Sequence, residues 1–290
     1  MISKRRKQTF VLVVPRFEDI SHSFYAGEIL RGVGLGSSRL KVDILFHITD
    51  RFDHRGWLDS TLLDRNYIDG IIFADIDNDL NVVRKVLQHE MPCIVLNNML
   101  EEPINCVWVD NYTAAFSLTE HLIHLGHKKI ATIAGDLSTQ AGQMRLKGFG
   151  EALEKHDLNL PKNYISYGDF LRTPARVAAQ ELLKLKSMPT AIFAASDVMA
   201  LEVFDVAKSL KIRVPEDLSV IGFDNNPISY NSSIGLSTVN QPLIEMGRLG
   251  VEHLHQIVKG RTKPPVKVVL TTQFIERKST TALTASGSRS

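Results

Sequence analysis

Cysteine is scarce in this sequence: there are two in 290 residues, too few for a disulfide framework. Both Cys93 and Cys106 sit inside apolar runs, which reads as buried thiols in a reducing compartment. Long apolar runs are also missing. None approaches the roughly 20 residues that span a bilayer. The stretch "TFVLVVP" at 9–15 is too short for the core of a secretion signal, and no small-residue cleavage site follows it. The expected location is therefore the cytoplasm, with no membrane partner. Nor does one sign of charge dominate: 34 Lys and Arg face 32 Asp and Glu. That balance makes no demand for nucleic acid on the body of the chain, since much of the basic excess lies in "SKRRK" at 3–7. Glycine and proline are not in excess, and 44% hydrophobic content suits a soluble globular chain long enough for two domains.

Catalytic and metal motifs are absent as well. There is no G-x-S-x-G, no phosphate loop and no Cys–His pairing context. "GVGLGS" at 32–37 closes a helical segment instead of joining a strand to a helix, so it lacks the setting of a dinucleotide loop. "DIDNDLNVVRKV" at 75–86 starts like a calcium loop, but Leu80 stands where glycine is needed and Val86 where the bidentate glutamate belongs. His121, His124 and His127 lack the further ligands that zinc requires and read as surface or partly packed residues. The expectation is a protein without cofactor or metal, and not an enzyme.

What is present is a rhythm. Short apolar runs alternate with helical segments: strands at 9–14, 41–47, 69–74, 92–98, 106–109, 129–135, 164–168, 190–195 and 218–223. Helices are predicted at 24–36, near 53–66, and at 80–90, 112–125, 140–156, 174–187 and 197–210. Strands separated by helices need crossover connections, hence a mostly parallel α/β sheet with helices on both faces. The strands are nearly all apolar, as burial on both sides requires. Two pieces echo each other, "YIDGIIFADIDNDL … MPCIVLNN" and "MPTAIFAASDVMAL … LSVIGFDNN", which suggests two similar halves. Beyond 240 the order changes, with a helix at about 242–259 and one or two final strands in "VKVVLTTQFIER".

Open α/β sheets bind ligands outside the carboxyl ends of their strands. Five polar stops fall there: Asn97–Asn98, Asp110–Asn111, Ser196–Asp197, Asp224–Asn225 and Asn240–Gln241. Any one of them can equally cap a helix or shape a turn; together they favour a polar cleft. Arg145 lies four residues before Phe149 on the apolar face of its helix. A guanidinium there is expensive unless a carboxylate or a polar ligand meets it. Phe24 and Tyr25 open the first helix, where an aromatic pair serves either core packing or stacking on a sugar face. Trp108 shares strand parity with Asp110, so it either faces the same cleft or takes an interface or core position.

From Asp110 onward the chain resembles the effector-binding part of the lac-repressor (LacI/GalR) family of bacterial transcription regulators. The resemblance is carried by "VDNYTAA…HLIHLGHKKIATIAG", "RLKGFGEAL", "PTAIFAASDVMALEVF", "VPEDLSVIGFDNN", "LSTVNQPLIEMGRLG" and "IERKST", in order over about 170 residues. It implies a type I periplasmic-binding-protein-like fold: two parallel-sheet subdomains joined by three crossovers, with ligand in the cleft. Crossings near 109–112, 238–242 and 267–271 would give subdomains of 9–109 plus 242–267 and 110–241 plus 268–280, after a basic linker remnant at 1–8 and before a disordered tail at 281–290. Arg145 falls on the family's ligand-gripping arginine and Asp224 on its hydroxyl-binding acid. Asp110 and Gln241 fall on crossover positions that can line the cleft, and Phe24 and Tyr25 on the aromatic pair. At 196 many members carry Asn; here Ser196 precedes Asp197, which offers fewer fixed hydrogen-bond directions.

The resemblance further implies a small-molecule effector, expected to be a sugar or sugar derivative, a homodimer, and operator DNA bound through a separate headpiece. "MISKRRKQTF" looks like the end of the linker to such a headpiece, so this chain alone is not expected to bind an operator. A periplasmic sugar-binding protein of a transporter is the alternative reading.

Overall fold

The computed structural model describes residues 7–15, 23–49, 66–76, 79–231 and 235–283. The predicted helix near 53–66 falls almost wholly outside them, as do 1–6 of the basic stretch and 284–290 of the tail. The chain divides into two compact units. One holds the described residues up to Val109 with Pro242–Thr271; the other holds Asp110–Gln241 with the described residues from Thr272 onward.

The first unit is built on a six-stranded sheet in the order β11-β5-β4-β3-β1-β2. Its strands are β1 (Thr9–Pro15), β2 (Asp43–Thr49), β3 (Gly70–Phe73), β4 (Cys93–Leu96), β5 (Cys106–Val109) and β11 (Lys267–Leu270). All pairings are parallel. The central β3 and β4 are buried at every position, which is why they read as unbroken apolar runs. The edge strands are less covered, with Phe46 on β2 59% exposed and Val269 on β11 57% exposed.

Two long helices of this unit pack together, α1 (Phe24–Leu40) and α8 (Leu243–Val258), while the shorter α2 (Leu80–Gln88) packs into a separate core cluster with β4. Helix α1 outruns its predicted end at 36 because the glycines there are contacts, not stops. A Cβ on Gly32 would lie 2.1 Å from the Ile244 carbonyl oxygen of α8. Small residues at that crossing let the two backbones approach, and the helix ends only where Lys41 turns left-handed (φ 55).

The second unit has a four-stranded parallel sheet ordered β7-β6-β8-β9, from β6 (Ile130–Ala134), β7 (Ile165–Tyr167), β8 (Ala191–Ala194) and β9 (Ser219–Ile221). Its helices are α3 (Asn111–His124), α4 (Gln140–Lys155), α5 (Arg172–Leu183), α6 (Asp197–Ser209) and the short α7 (Ile228–Asn231). Beside the end of β9, β10 (Thr238–Asn240) pairs antiparallel with β12 (Gln273–Ile275). Single parallel bridges join Ile221 to Ser237 and Asp224 to Asn240.

Two expectations change here. "VKVVLTTQFIER" forms two strands that separate: β11 extends the first unit's sheet in register from Lys267 opposite Cys106 to Leu270 opposite Val109, while β12 belongs to the second unit. The last change of unit follows Thr271, at the end of the crossing expected at 267–271. The tail is also tied down at its start. Leu283 donates its N–H to Leu125 O at 2.7 Å, and the buried His127 ring meets Thr190 Oγ1, Ser219 Oγ and Thr281 O at 3.0, 3.0 and 3.1 Å. His127 is thus a packed residue, and burial lowers its pKa. Among the described residues no cluster of His, Cys, Asp and Glu could hold a metal, and no helix is long and apolar enough to cross a membrane.

Candidate functional site

In the second unit, parallel pairing delivers the ends of β6, β8 and β9 to one side of the sheet, and Arg145 reaches that side from α4. The helix begins at Gln140 behind the cap of Thr139, whose Oγ1 accepts from Gly142 N at 3.1 Å. Phe149, Ala152 and Leu153 form the buried stripe that the spacing predicts, and Arg145, 4% exposed, lies on it. Its guanidinium is met from several sides. Nε donates to Asn111 Oδ1 at 2.9 Å and Nη1 to Ala195 O at 2.6 Å. Nη1 also stands 3.5 Å from Asp224 Oδ1. The Phe223 ring centroid is 3.7 Å from its central carbon and the Phe170 ring 5.6 Å. Paired, hydrogen-bonded and stacked, the cation recovers much of what burial costs it.

Asp224 follows β9 in a strained turn. Its φ is 118° and that of Asn225 is 55°, left-handed values that cost of order 1–3 kcal/mol each in residues other than glycine. The surroundings hold them there. Asp224 N donates to Val239 O at 2.9 Å, Asn225 Nδ2 to Asn240 Oδ1 at 3.0 Å, and Arg277 Nη2 to Asn225 Oδ1 at 2.7 Å. The carboxylate keeps 17% of its side-chain exposure. Burial pushes its pKa up to about 6, against the opposing pull of Arg145 and Gln241.

Gln241, 6% exposed, donates from Nε2 to Asp224 Oδ1 at 2.7 Å. The other end of that amide, Oε1, is enclosed and has no hydrogen-bond partner. An enclosed acceptor left without a donor costs about 1–3 kcal/mol.

The structure gives other expected contacts local duties. Asp197 is completely buried, and its carboxylate accepts from Asn226 N at 2.8 Å and Thr238 Oγ1 at 2.5 Å. It ties the turn after β9 to β10. Burial, with the nearby charge of Asp224, raises its pKa well above its ordinary value. Ser196 is also buried and caps α6, accepting from Met199 N at 3.3 Å. Asp110 is exposed and caps α3, one oxygen accepting from Thr113 N at 2.9 Å and the other from Thr113 Oγ1 at 2.6 Å. For these three, capping and turn-holding is the role the geometry displays.

Phe170 was not among the residues singled out from the sequence. It and Asp169 adopt left-handed φ values of 60° and 52° after β7. That turn lays the Phe170 ring over Gly135, where an added Cβ would lie 2.1 Å from the ring. Only a residue without a side chain fits beneath it. The available signal was "YGDF", an aromatic behind a Gly-Asp turn at a strand end, which a search confined to carboxylate and amide stops passes over.

Phe24 and Tyr25 belong to the first unit, half-buried against its core, and the Tyr25 hydroxyl donates to Ala74 O. The structure of the second unit therefore does not bring them to Arg145. Trp108 packs against the first unit's core. That unit has its own polar strand ends. Asn97 Nδ2 donates to Asp75 Oδ2 at 3.1 Å, and the buried Asn98 amide, oriented to donate, reaches Asp75 Oδ1 at 3.0 Å. Asn97 Oδ1 is enclosed without a partner.

With this geometry in hand, comparison with known proteins is informative. A profile for the periplasmic binding protein-like domain matches residues 119–280. The HTH-type transcriptional regulator DegA of Bacillus subtilis is 31% identical over 288 residues, covering 97% of this chain and 83% of the relative. The HTH-type transcriptional repressor CytR of Escherichia coli is 32% identical over 286 residues, covering 97% and 82%. Among solved structures, a complex of the transcriptional regulator CelR with cellobiose superposes with a TM-score of 0.86 at 30% identity, covering 95% of this chain and 85% of that one.

Proposed function

The chain belongs to the lac-repressor (LacI/GalR) family of transcriptional regulators, and from that premise we propose that it is the effector-sensing part of such a regulator, with Arg145 and Asp224 gripping a small polar ligand. The observation that carries this is the buried Arg145–Asp224 pair at the strand ends, set between Phe170 and Phe223. A protein that needed this pair only for stability gains little from it, because packed hydrocarbon of similar volume often does as well as a buried ion pair. A ligand that uses the pair gives the arrangement a purpose.

A sugar is the ligand class best supported, since the Phe170 ring offers a face for apolar C–H groups while Asp224 and Gln241 offer acceptors for hydroxyls, and since a related regulator was solved with cellobiose. The reading carries with it a homodimer acting in the cytoplasm, with operator DNA bound by a separate headpiece and no chemistry performed on the ligand. Ligand binding alters operator affinity only if the ligand prefers one conformation of the regulator over another.

A thermal-shift screen of this chain against sugars, sugar acids, polyols and nucleobases tests the assignment. A ligand at 100 times its dissociation constant adds about 2.7 kcal/mol of stability. Calorimetry with the best hit should then show Arg145→Ala and Asp224→Asn each weakening binding at least tenfold. Unchanged affinity in both variants would remove the site from consideration, and turnover of the hit would point to an enzyme instead.

A further inference from the structure

We infer that Arg277 is a positioning residue: through Asn225 it holds the turn after β9 that sets the Asp224 carboxyl against Arg145. The functional meaning of that role rests on the effector-binding reading, but the role itself is indirect and is tested without a ligand.

The first reason is where Arg277 directs its donors. It stands just after β12, and its guanidinium reaches the turn and the approach to β10 together. Nη2 donates to Asn225 Oδ1 at 2.7 Å, and Nη1 to Leu236 O at 2.6 Å and Ser229 Oγ at 3.3 Å. Its backbone N–H donates to Ser237 Oγ at 2.9 Å, and the cation lies over the Tyr230 ring, 4.3 Å from the centroid. These acceptors are all neutral, so the contacts fix geometry and do not neutralise charge. A rigid planar fork holds a side-chain amide relative to a backbone carbonyl in a way that a point charge does not.

The second reason is what Asn225 does with its remaining groups. Nδ2 donates to Asn240 Oδ1 at 3.0 Å, and the backbone N–H to Thr238 Oγ1 at 3.3 Å. Asn225 has a φ of 55° and Asp224 before it one of 118°. Backbone of this kind persists only where its neighbours over-determine it. Arg277 supplies the hold from the side of β12, and Asn240 from the end of β10. The residue after Asn240 is Gln241, whose Nε2 meets Asp224 Oδ1 at 2.7 Å, while Arg145 Nη1 stands 3.5 Å from the same oxygen. Without Arg277 the Asn225 side chain loses one of its anchors. The turn then relaxes toward ordinary backbone and carries Asp224 out of the pair.

The test follows the Asp224 carboxyl in the ligand-free chain by carboxyl-carbon NMR of labelled aspartate, its signal assigned by its loss in Asp224→Asn. In wild type it titrates at about 6, under burial opposed by Arg145 and Gln241, with Asp197 of α6 the neighbouring acid. Arg277→Met keeps a linear stem and removes the donors. It should lower that value by about one pH unit or more, toward the ordinary 3.8, as the carboxyl reaches solvent. Loss of a nearby cation by itself moves a carboxyl the other way, so a fall reports the turn and not the charge. Asn225→Ala should reproduce the fall, and the double variant should fall no further than either single one. If Arg277→Met does not fold, Arg277→Lys, which keeps the charge without the fork, carries the same expectation. A value that stays near 6 or rises, in a protein that only melts lower, makes Arg277 a structural staple and overturns the inference; additive falls overturn it too. Neither result touches the effector-binding reading. That reading fails alone if Asp224 titrates as expected in every variant and no sugar, sugar acid, polyol or nucleobase of the thermal-shift screen binds.

Discussion

In the first unit the acid after β3, Asp75, is held by the amides of Asn97 and Asn98; in the second the acid after β9, Asp224, is held by the Arg145 guanidinium and the Gln241 amide. Both come from the same plan of strand, helix, strand and polar stop, and each unit uses a left-handed residue at the stop, Asn97 in one and Asp224 in the other. The difference lies in charge and burial. Neutral amides satisfy an acid at modest desolvation cost. A buried guanidinium must be paired, hydrogen-bonded and stacked before it is tolerable. The second unit also strains Asn225, Asp169 and Phe170 to set the pair in place. Strain of this kind persists where the surrounding structure over-determines it, and the charged, strained pair is what sets the second unit apart from the first.

The sharpest way to break this contrast is to remove the cation in the second unit and to neutralise the acid in the first. Arg145→Ala should cost about 3 kcal/mol in denaturant unfolding, because it leaves Asp224 partly buried without its cation. Asp75→Asn, which keeps the volume and most of the hydrogen bonding, should cost about 1 kcal/mol or less. Equal losses would mean that the guanidinium is no more than another packing group. Next in size are two glycines at close approaches. Gly32→Ala drives a Cβ against the backbone of α8, which cannot rotate away, and should lose about 2–3 kcal/mol. Gly135→Ala meets a ring that can swing aside, so its stability loss should be nearer 1 kcal/mol, with the larger effect on ligand affinity as Phe170 is displaced. If Gly135→Ala binds the ligand normally, Phe170 is a core residue and not part of the site.

The titration of Asp224 gives a smaller effect. Its folded value of about 6 lies above the ordinary 3.8. A raised carboxyl contributes stability that is complete below the unfolded value and is lost as pH rises through the folded one. Wild type should therefore lose on the order of 1 kcal/mol relative to Asp224→Asn between pH 4 and pH 7. Parallel pH–stability curves for the two proteins would show that Asp224 is not held in a desolvated site.

Much of this contrast could be read from residues. Alternation of apolar runs with helical segments located every strand from β1 to β9 and the four long helices of the second unit, α3 to α6, to within a few positions, because both faces of a parallel sheet must be apolar. Arg145 stood out because a cation on an apolar stripe has few tolerable explanations, and Asp224 because an acid ended a buried strand. Neither Phe170 nor the length of α1 was legible, for a related reason. Each depends on what packs opposite a glycine, Gly135 under a ring and Gly32 against a carbonyl, and a glycine in sequence looks the same whether it breaks a helix or admits a neighbour. Asp110, Ser196 and Asp197 carry cap and turn duties, the alternative that each polar stop offered in sequence. A polar residue where a strand gives way to a helix serves the helix first, through a cap that satisfies backbone donors nothing else supplies.

The smallest expected effect refines the comparison from the first unit's side. Asn97→Ala removes three things at once. It loses the bond from Nδ2 to Asp75, worth about 1 kcal/mol. It places alanine at φ 64°, a left-handed position that Asn tolerates better than alanine, for a further cost of about 1 kcal/mol. Against these, it deletes the enclosed Oδ1 that has no donor, which recovers about 1–3 kcal/mol. The sum should lie within about 1 kcal/mol of zero, whereas Gln241→Ala, which deletes the equivalent orphaned oxygen in the second unit, also strips Asp224 of its amide donor and should weaken ligand binding. Denaturant unfolding of the first variant and calorimetry of the second decide the matter. A loss well above 1 kcal/mol for Asn97→Ala would mean that its oxygen is satisfied after all, and that the first unit holds its acid as tightly as the second.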